Sequence, residues 1–512
     1  MARGQMVHQF SEVPTADIPR SSFDRNATIK TTMNAGVLYP IFVDEVLPGD
    51  TFSVRLNAFG RMATPIHPIM DTLFLDTHFF FVPNRQIWDN FQKFMGEQID
   101  PGDSTDFLVP QINWTPADDN LAGYMGLPQG NAINVNALPF RAYNHVWNEF
   151  FRDQNLQDSA PVDRNDGPNS AGNYPLRRRG KRHDYFTSSL PFPQKGPDVT
   201  IPLGTTAPVF AASGAGNITI KSDTTPDNAE LSTAGSKLVF ASPAVSSPGQ
   251  QLVADLSAAS SATINQLRQA FQIQKLQERD ARGGTRYIEI LKAHFLVDSP
   301  DQRLQRPEFL GGGTSIVNIN PVAQTSETQT TGNTPQGNMS AYGTYSVNGH
   351  GFTKSFVEHG YIIGLVSIRA NLTYQQGIDR MWSRRSKYDF YWPALAHIGE
   401  QAVLNKEIYV DGTSADDDVW GYQGRYDEYR YRNSRVTGKF SSAASGTLDP
   451  WHLAQNFTTR PALNASFIQE QPPITRVLAV QDEPQFLFDG FAECKCARPM
   501  PVYGTPGFID HF

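Results

Sequence analysis

The stretch LFLDTHFFFVPNRQIWDNFQKFMGE, residues 73–97, places an aromatic strand, a proline stop and an aromatic helix in immediate succession. From Leu73 to Val82 one face reads Leu73, Leu75, Phe79 and Phe81, the period-2 signature of a half-buried strand. The opposite face, Phe74, Asp76, His78, Phe80 and Val82, is mixed but far from water-loving, so the strand is expected to be covered on both sides. Pro83 ends it. Asn84 suits a helix N-cap and Gly96 suits the residue after a helix C-terminus. Between them Ile87, Trp88, Phe91, Phe94 and Met95 fall on one helical stripe. Nothing here resembles a catalytic device. So much directed apolar surface implies a large core or a large interface.

Working outward, residues 51–59 (TFSVRLNAF) alternate cleanly, with Phe52, Val54, Leu56 and Ala58 on one face. A second aromatic helix is expected over 139–152, where Phe140, Tyr143, Trp147 and Phe150 share a face and read as ordinary core packing. Further helices are expected over 261–282 (Ile264, Leu267, Phe271) and 287–295, separated by Gly283-Gly284. Strand patterns return after Gly311-Gly312-Gly313, most clearly over 361–374 (Ile362, Val366, Ile368, Ala370, Leu372). Shorter strand candidates lie at 435–440 and 474–480. No fixed-period repeat is visible. Strands before and after long excursions predict an all-β-dominated chain, one β-sandwich of the jelly-roll class with elaborated loops and a few helices.

Composition narrows the function classes. Hydrophobic residues make up 39% of the 512, enough for a core, while 40 Gly and 36 Pro imply many turns and long loops. Only 18% of residues are charged, low enough that much surface must be neutral or covered by partners. A net charge of −8 argues against a protein that grips nucleic acid over its whole surface, so polyanion binding has to be local. Cys494 and Cys496 form a C-x-C in which a disulfide would be strained and which cannot complete a zinc site; they read as reduced structural residues. The N-terminal segment lacks the apolar region of a secretory signal, and no run reaches the roughly 18 apolar residues of a membrane span. A cytosolic, soluble product with no membrane association is therefore expected.

Residues 1–40 are polar and Pro-spaced and read as an extended N-terminal arm; 41–195 and 263–496 form the jelly-roll domain; 497–512 form an extended tail. Residues 196–262 are dominated by Gly, Ser, Thr, Ala and Pro, with Phe210 and Phe240 as their only aromatics. Short β-like patches at 217–221 and 237–241 suggest a surface insertion with its own small β structure; disorder is the alternative.

Catalytic signatures are missing: no G-x-S-x-G elbow, no H-E-x-x-H, no G-x-x-x-x-G-K-[ST] and no strand-coupled G-x-G-x-x-G. The triglycine at Gly311 has no following Lys and reads as a flexible turn. Asp416-Asp417-Asp418 could offer oxygens to a cation, but consecutive side chains diverge, and a solvated acidic loop is the simpler reading. No cofactor is implied. Two stretches interleave cations with rings: Arg380, Trp382, Arg384, Arg385, Lys387 and Tyr388, and Arg425-Tyr426 through Arg430-Tyr431-Arg432. Such pairs hold single-stranded nucleic acid, cations on phosphates and rings on bases. The same residue types also fill subunit interfaces. The run Arg177, Arg178, Arg179, Lys181, Arg182 is either a solvated loop or a phosphate contact.

The residues taken together match a family. Gly60-Arg61-Met62-Ala63-Thr64-Pro65 through FFFVPNRQIWDNFQKFMGE, YNHVWNEFFRDQNLQDS (143–159), RYIEILKAHFLVDSPDQRLQRPEFLGGG (286–313), WPALAHIGEQAVLNKEIY (392–409) and CARPMPVYGTPGFIDHF (496–512) resemble the major capsid proteins of gokushoviruses, small single-stranded DNA phages of the Microviridae. The resemblance runs from end to end, with 196–262 its least similar part. It implies an eight-stranded viral jelly roll with long insertions, assembled through pentamers into a T=1 icosahedral shell around circular single-stranded DNA. The partners implied are copies of itself, the genome, an internal scaffolding protein, a DNA pilot protein, a small basic DNA-binding protein and a host surface receptor. It further implies residence in the virion, with assembly in the host cytoplasm, and a variable threefold insertion proposed for host attachment, a role that 196–262 fits. On this reading Arg177, Arg178, Arg179, Lys181, Arg182, Arg380, Arg384, Arg385 and Lys387 are the candidate DNA contacts, and Trp88, Phe91, Tyr426 and Tyr431 the candidate subunit contacts. The competing classes are a carbohydrate-active β-sandwich enzyme using Asp427 and Glu428, and a non-catalytic adhesin.

Overall fold

The structure, a computed structural model, describes residues 19–199, 264–326 and 336–503, together with the backbone of five short strands within 200–263. The first strands are β1 (Ser21–Asp24), β2 (Ala27–Met33), β3 (Tyr39–Val46), β4 (Thr51–Met62), β5 (Leu73–Pro83), β6 (Gln111–Trp114) and β7 (Ile133–Asn136). Next come β8 (Val209–Ala211), β9 (Ile218–Lys221), β10 (Asn228–Ala234), β11 (Lys237–Ala241) and β12 (Leu252–Ala254). The last are β13 (Glu308–Ala323), β14 (Met339–Ser355), β15 (Gly360–Ala370), β16 (Glu400–Leu404), β17 (Val419–Gly424) and β18 (Phe486–Arg498). Helices are few and mostly short: α1 (Asn84–Ile87), α2 (Phe91–Phe94), α3 (Leu121–Tyr124), α4 (Leu138–Phe150), α5 (Ile264–Gly283), α6 (Tyr287–Phe295), α7 (Asn405–Ile408) and α8 (Ala465–Ile468). No described helix is long and apolar enough to cross a membrane.

The chain divides into two compact units, Gln194–Gly283 and the remainder. In the larger unit one antiparallel sheet runs β1-β18-β4-β14-β13-β5-β15-β3, with β2 also paired to β18. Nine strands occupy eight positions because β1 and β2 divide one edge of β18 between them, Phe23 opposite Cys496 and Thr31 opposite Phe488. The sheet curls so that alternate residues of its strands meet in one core, the all-β jelly-roll type of architecture expected from the sequence.

β5 sits between β13 and β15, which explains its two apolar faces. Leu73, Leu75, Phe79 and Phe81 point into the curl, where Phe79 meets Phe352 at 5.5 Å and Phe81 meets Phe356 at 4.6 Å between ring centroids. Phe80 and Val82 point the other way, into a second core built on α4. β15 is covered on both sides in the same manner. β4 buries Phe52, Val54, Leu56 and Ala58 as its alternation predicts. In α4 the stripe Phe140, Tyr143 and Trp147 is buried, and so are Arg141, Asn144, His145 and Asn148 on its flanks. Those polar side chains fasten loops: Asn144 donates to the carbonyls of Pro161 and Asn173, and Tyr143 to that of Leu38.

Several elements differ from the sequence expectation. The helix expected after Pro83 is two single turns, α1 and α2, interrupted at Trp88, whose backbone is extended (φ −150°, ψ 113°). Tertiary bonds hold the break: the Trp88 indole N–H donates to Asp166 Oδ1 at 2.7 Å, and the Asp89 N–H to the Arg164 carbonyl. Gly96 does take the left-handed conformation (φ +105°). The triglycine is no turn but part of the first half of β13, squeezed between two strands. A Cβ at Gly312 would lie 2.1 Å from the Thr77 carbonyl oxygen, and one at Gly311 2.5 Å from that of Gly351. Residues 474–480 hold a 3-10 turn, Ile474–Val477, and no strand, because Ile474, Val477 and Leu478 reach the core with a helical spacing. Residues 435–440 are likewise irregular, ending in a short 3-10 turn, Gly438–Phe440, whose Gly438 has positive φ.

The arm reading of 1–40 is corrected within 21–33, which are strands on this subunit's own sheet; residues 1–18 lie outside the described residues. At the other end β18 runs through Arg498, so two residues assigned to the tail belong to the sheet, and 504–512 lie outside the described residues. Cys494 and Cys496 are free thiols buried on the inward face of β18. The smaller unit starts and ends outside 196–262 and includes α5. Both β-like patches in it are strands, β9 and β11, paired to β10 on either side.

Candidate nucleic-acid and subunit-contact surfaces

Charge alone made the run 177–182 a candidate phosphate site, and the structure places it inside the molecule. The Arg177 guanidinium lies 5.1 Å over the Trp147 ring, Lys181 4.2 Å over Phe467 and Arg182 4.2 Å over Phe74. Arg178 donates to the carbonyls of Ala35 and Glu470. Arg179 donates to Asp76 Oδ2 at 2.7 Å and to Ser367 Oγ at 2.8 Å. Asp76, on β5, is 1% exposed and also receives Arg369 Nε at 2.7 Å and the Thr314 hydroxyl at 2.6 Å. Burial pushes its carboxyl up, but the Thr314 bond and the Arg179 and Arg369 charges outweigh it, and the pKa lies below the ordinary value. The run is therefore a strap tying β5, β15 and the C-terminal loops together, and most of its cationic groups are already engaged.

A half-buried histidine, His78, sits near this strap, and a buried one, His145, lies on α4. Burial lowers His78 and His145 from 6.5 to about 4, with nearby arginine charges acting in the same direction. Both are neutral in the fold at neutral pH, whereas the unfolded chain takes up the protons near 6.5. Between those values the unfolded state binds more protons, so stability falls as pH falls. Denaturant unfolding followed across pH is expected to show the midpoint dropping between about pH 6.5 and 4. A flat profile there would contradict histidines held neutral by the fold.

The second basic–aromatic region is different. Residues 380–392 form 3-10 turns at Arg380–Ser383 and Lys387–Asp389, and they meet the turn Asp427–Tyr429 that follows β17. The two pieces are joined by Arg384, which pairs with Glu428 at 3.4 Å, hydrogen-bonds the Tyr429 hydroxyl and stacks 4.3 Å over that ring. Arg425 donates to the Tyr388 carbonyl, and Tyr391 packs edge-on against Tyr426 and Tyr429. On this scaffold Trp382, Tyr388, Phe390, Tyr391, Trp392, Tyr429 and Tyr431 are each about half exposed or more, Trp382 reaching 72%. Arg385 and Lys387 are exposed and form no ion pair among the described residues. A platform of rings edged by free cations offers what a single-stranded polyanion requires.

Other candidates separate cleanly. Arg380 is not on the platform surface; it bonds Glu407 at 3.0 Å and the Ala402 carbonyl at 2.6 Å. Burial raises the Glu407 pKa despite Arg380, and Tyr185 donates to its other oxygen. Trp88 has no exposed surface and Phe91 only 8%, both within the α4 core, so neither can serve a neighbour. Tyr426 is buried beneath Tyr391, whereas Tyr431 remains exposed. Arg460 pairs with Asp411 and Asp416, and Lys406 with Asp417, so two of the three consecutive aspartates already face the chain's own cations. Asp427 is held by Arg430, and Glu428 by Gln401 and Arg384. Neither carboxylate is left free for acid–base work on a sugar.

One surface carried no signal strong enough to be noticed in the sequence. Phe59 of β4 and Leu487 and Phe491 of β18 project from the outer side of the sheet, about 40–54% exposed. Phe59 and Leu487 line a shallow groove of about 400 Å³ with Lys30, Arg61 and Asp489. Register places Phe59 opposite Asp489 and Arg61 opposite Leu487, so the rings and methyls are diagonal neighbours on one face. An alternating strand normally turns polar residues outward, and these stand out only once the pairing is known.

A curled β sheet that carries an exposed platform of rings and an exposed apolar groove suits a protein that works by contact with other molecules. The chain belongs to the phage capsid protein (F protein) family, whose model matches residues 11–508. It is 46% identical to capsid protein VP1 of Bdellovibrio phage phiMH2K over 99% of this chain and 98% of that protein. Identity to capsid protein VP1 of Chlamydia phage 1 is 43%, over 99% of each chain, and to that of Spiroplasma virus 4 it is 36%, over 98% and 97%. The chain is a major capsid protein, a virion component that assembles with copies of itself, as its resemblance to the Microviridae implied.

Proposed function

We propose that this capsid protein forms, through pentamers, a closed T=1 icosahedral shell around circular single-stranded DNA, and that it acts by assembly without catalysis. The observation that carries the genome-facing part is the platform of exposed rings around Arg385 and Lys387. Bases stack on aromatic rings irrespective of sequence, at about 1–3 kcal/mol each, while unpaired cations follow the phosphates. The net charge of −8 supports a separate small basic protein for most of the genome's charge. An internal scaffolding protein, a DNA pilot protein and a host surface receptor complete the proposed partners, with assembly in the host cytoplasm. The Gln194–Gly283 unit, compact by itself, is the proposed threefold protrusion for host attachment.

With Arg385→Glu and Lys387→Glu combined, shells are expected to form in normal yield but to carry much less DNA, read from the ratio of absorbance at 260 and 280 nm in purified particles. Wild-type DNA content in that variant would remove the platform from the genome. For subunit contact the outer groove replaces Trp88 and Phe91. Phe59→Ser with Leu487→Ser should leave the subunit's melting temperature within a few degrees of wild type and raise the concentration needed for assembly by about tenfold or more, because about 2–3 kcal/mol of apolar burial is lost at each such contact. Unchanged assembly would show that this face stays open to solvent.

A further inference from the structure

Beneath the strap lies a cavity of about 580 Å³, of the size that takes a small organic ligand. Its walls come from 34–35, 178–181, 455–475 and Gln485. None of the described residues lining it is acidic, although the chain as a whole carries net negative charge. Seven of its lining residues carry side-chain amides and two are cations, Arg178 and Lys181.

Lys181 is the unusual member. It is 8% exposed, and its ammonium makes no ion pair or hydrogen bond among the described residues; its one close partner is the Phe467 ring at 4.2 Å. Glu470 and Asp184 are the carboxylates whose charges it feels, neither within ion-pair distance. The ammonium stands at the cavity with no anion beside it, and an anion entering there would complete it. Arg178 spends its hydrogen bonds on two backbone carbonyls, so its charge too lacks a carboxylate partner. The amides of Asn456, Gln469 and Gln471 form no hydrogen bonds among the described residues, and Phe457 supplies a ring at the wall. Side-chain amides can donate and accept at once, which suits the edge of a nucleobase, and a phenyl ring suits its face.

We propose that this cavity is a nucleotide pocket, taking one phosphate on Lys181 and Arg178 and a base against Phe457 within reach of the Gln469 and Gln471 amides. The ligand is a nucleoside phosphate, either one residue of a packaged strand or a free nucleotide. The pocket is separate from the platform and stands whether or not the platform touches DNA.

The test is equilibrium titration of the full-length, unassembled protein with dTMP, thymidine, inorganic phosphate and a thymidine decanucleotide. dTMP is expected to bind at least about tenfold tighter than thymidine or phosphate, since each supplies only half of the recognition. Lys181→Met should weaken dTMP about tenfold or more. Because that change touches packing on Phe467, Asn456→Ala with Gln471→Ala, both at the open side, serves as the second variant. It should weaken dTMP several-fold and leave phosphate unchanged. The Arg385→Glu, Lys387→Glu protein should bind dTMP normally. Loss of decanucleotide affinity in the Lys181 variant would identify the strand as the source; loss for dTMP alone would identify free nucleotide. Thymidine or phosphate binding as tightly as dTMP, or dTMP affinity untouched by both pocket variants, would overturn the proposal.

Discussion

Asp76→Asn is expected to cost about 3–5 kcal/mol of subunit stability, because it strands two buried guanidinium groups at once. Arg179 and Arg369 both close on Oδ2 of Asp76 at 2.7 Å, and the carboxylate is 1% exposed. An amide keeps the shape but not the charge, so both cations would lie in a low-dielectric site with each other for company. Denaturant unfolding measures the loss. Adding Arg369→Met should recover part of it by removing one of the stranded charges, which a general packing defect would not allow. A solvated loop at 177–182, with Arg179 free in water, makes the opposite forecast: an unchanged fold.

Trp88→Ala is expected to destabilise the isolated subunit by about 3–5 kcal/mol, the usual cost of emptying a buried aromatic site. The indole is fully covered, packs within 5.1 Å of Phe94 and 6.1 Å of Phe91, and donates to Asp166. Removing it opens a cavity and also frees the two turns α1 and α2 that its extended backbone separates. A melting curve on unassembled protein is the measurement. Had Trp88 faced a neighbouring subunit, the variant would melt normally and fail only at assembly.

What the sequence made legible follows the strength of its period. β4, β5, β15 and α4 were readable because their apolar spacing extends over many residues and because each is buried by its own periodic face. The second face of β5 was readable too, since Phe80 and Val82 have no place in water. β1 and β2 were not, because an edge strand such as ATIKTTM has little apolar alternation and owes its form to pairing with β18. The break at Trp88 depends on Asp166 and Arg164, far along the chain, and no local pattern announces it.

The candidate surfaces show the same limit. Cation–ring interleaving pointed to the platform, because Lys387 with Tyr388 and Arg425 with Tyr426 are neighbours in sequence as well as in space. In the run 177–182 the partners Trp147, Asp76, Phe467 and Phe74 come from elsewhere, so nothing local says that these side chains pack on their own subunit. Phe59 and Leu487 were invisible for the converse reason: an isolated outward apolar residue means little until register brings several together.

Electron cryomicroscopy of DNA-filled particles tests the central claim most directly. Closed isometric T=1 shells are expected, with residues 380–392 and 427–431 on the inner surface against density for packaged DNA. Open filaments, or closed shells with that platform on the outside, would contradict it.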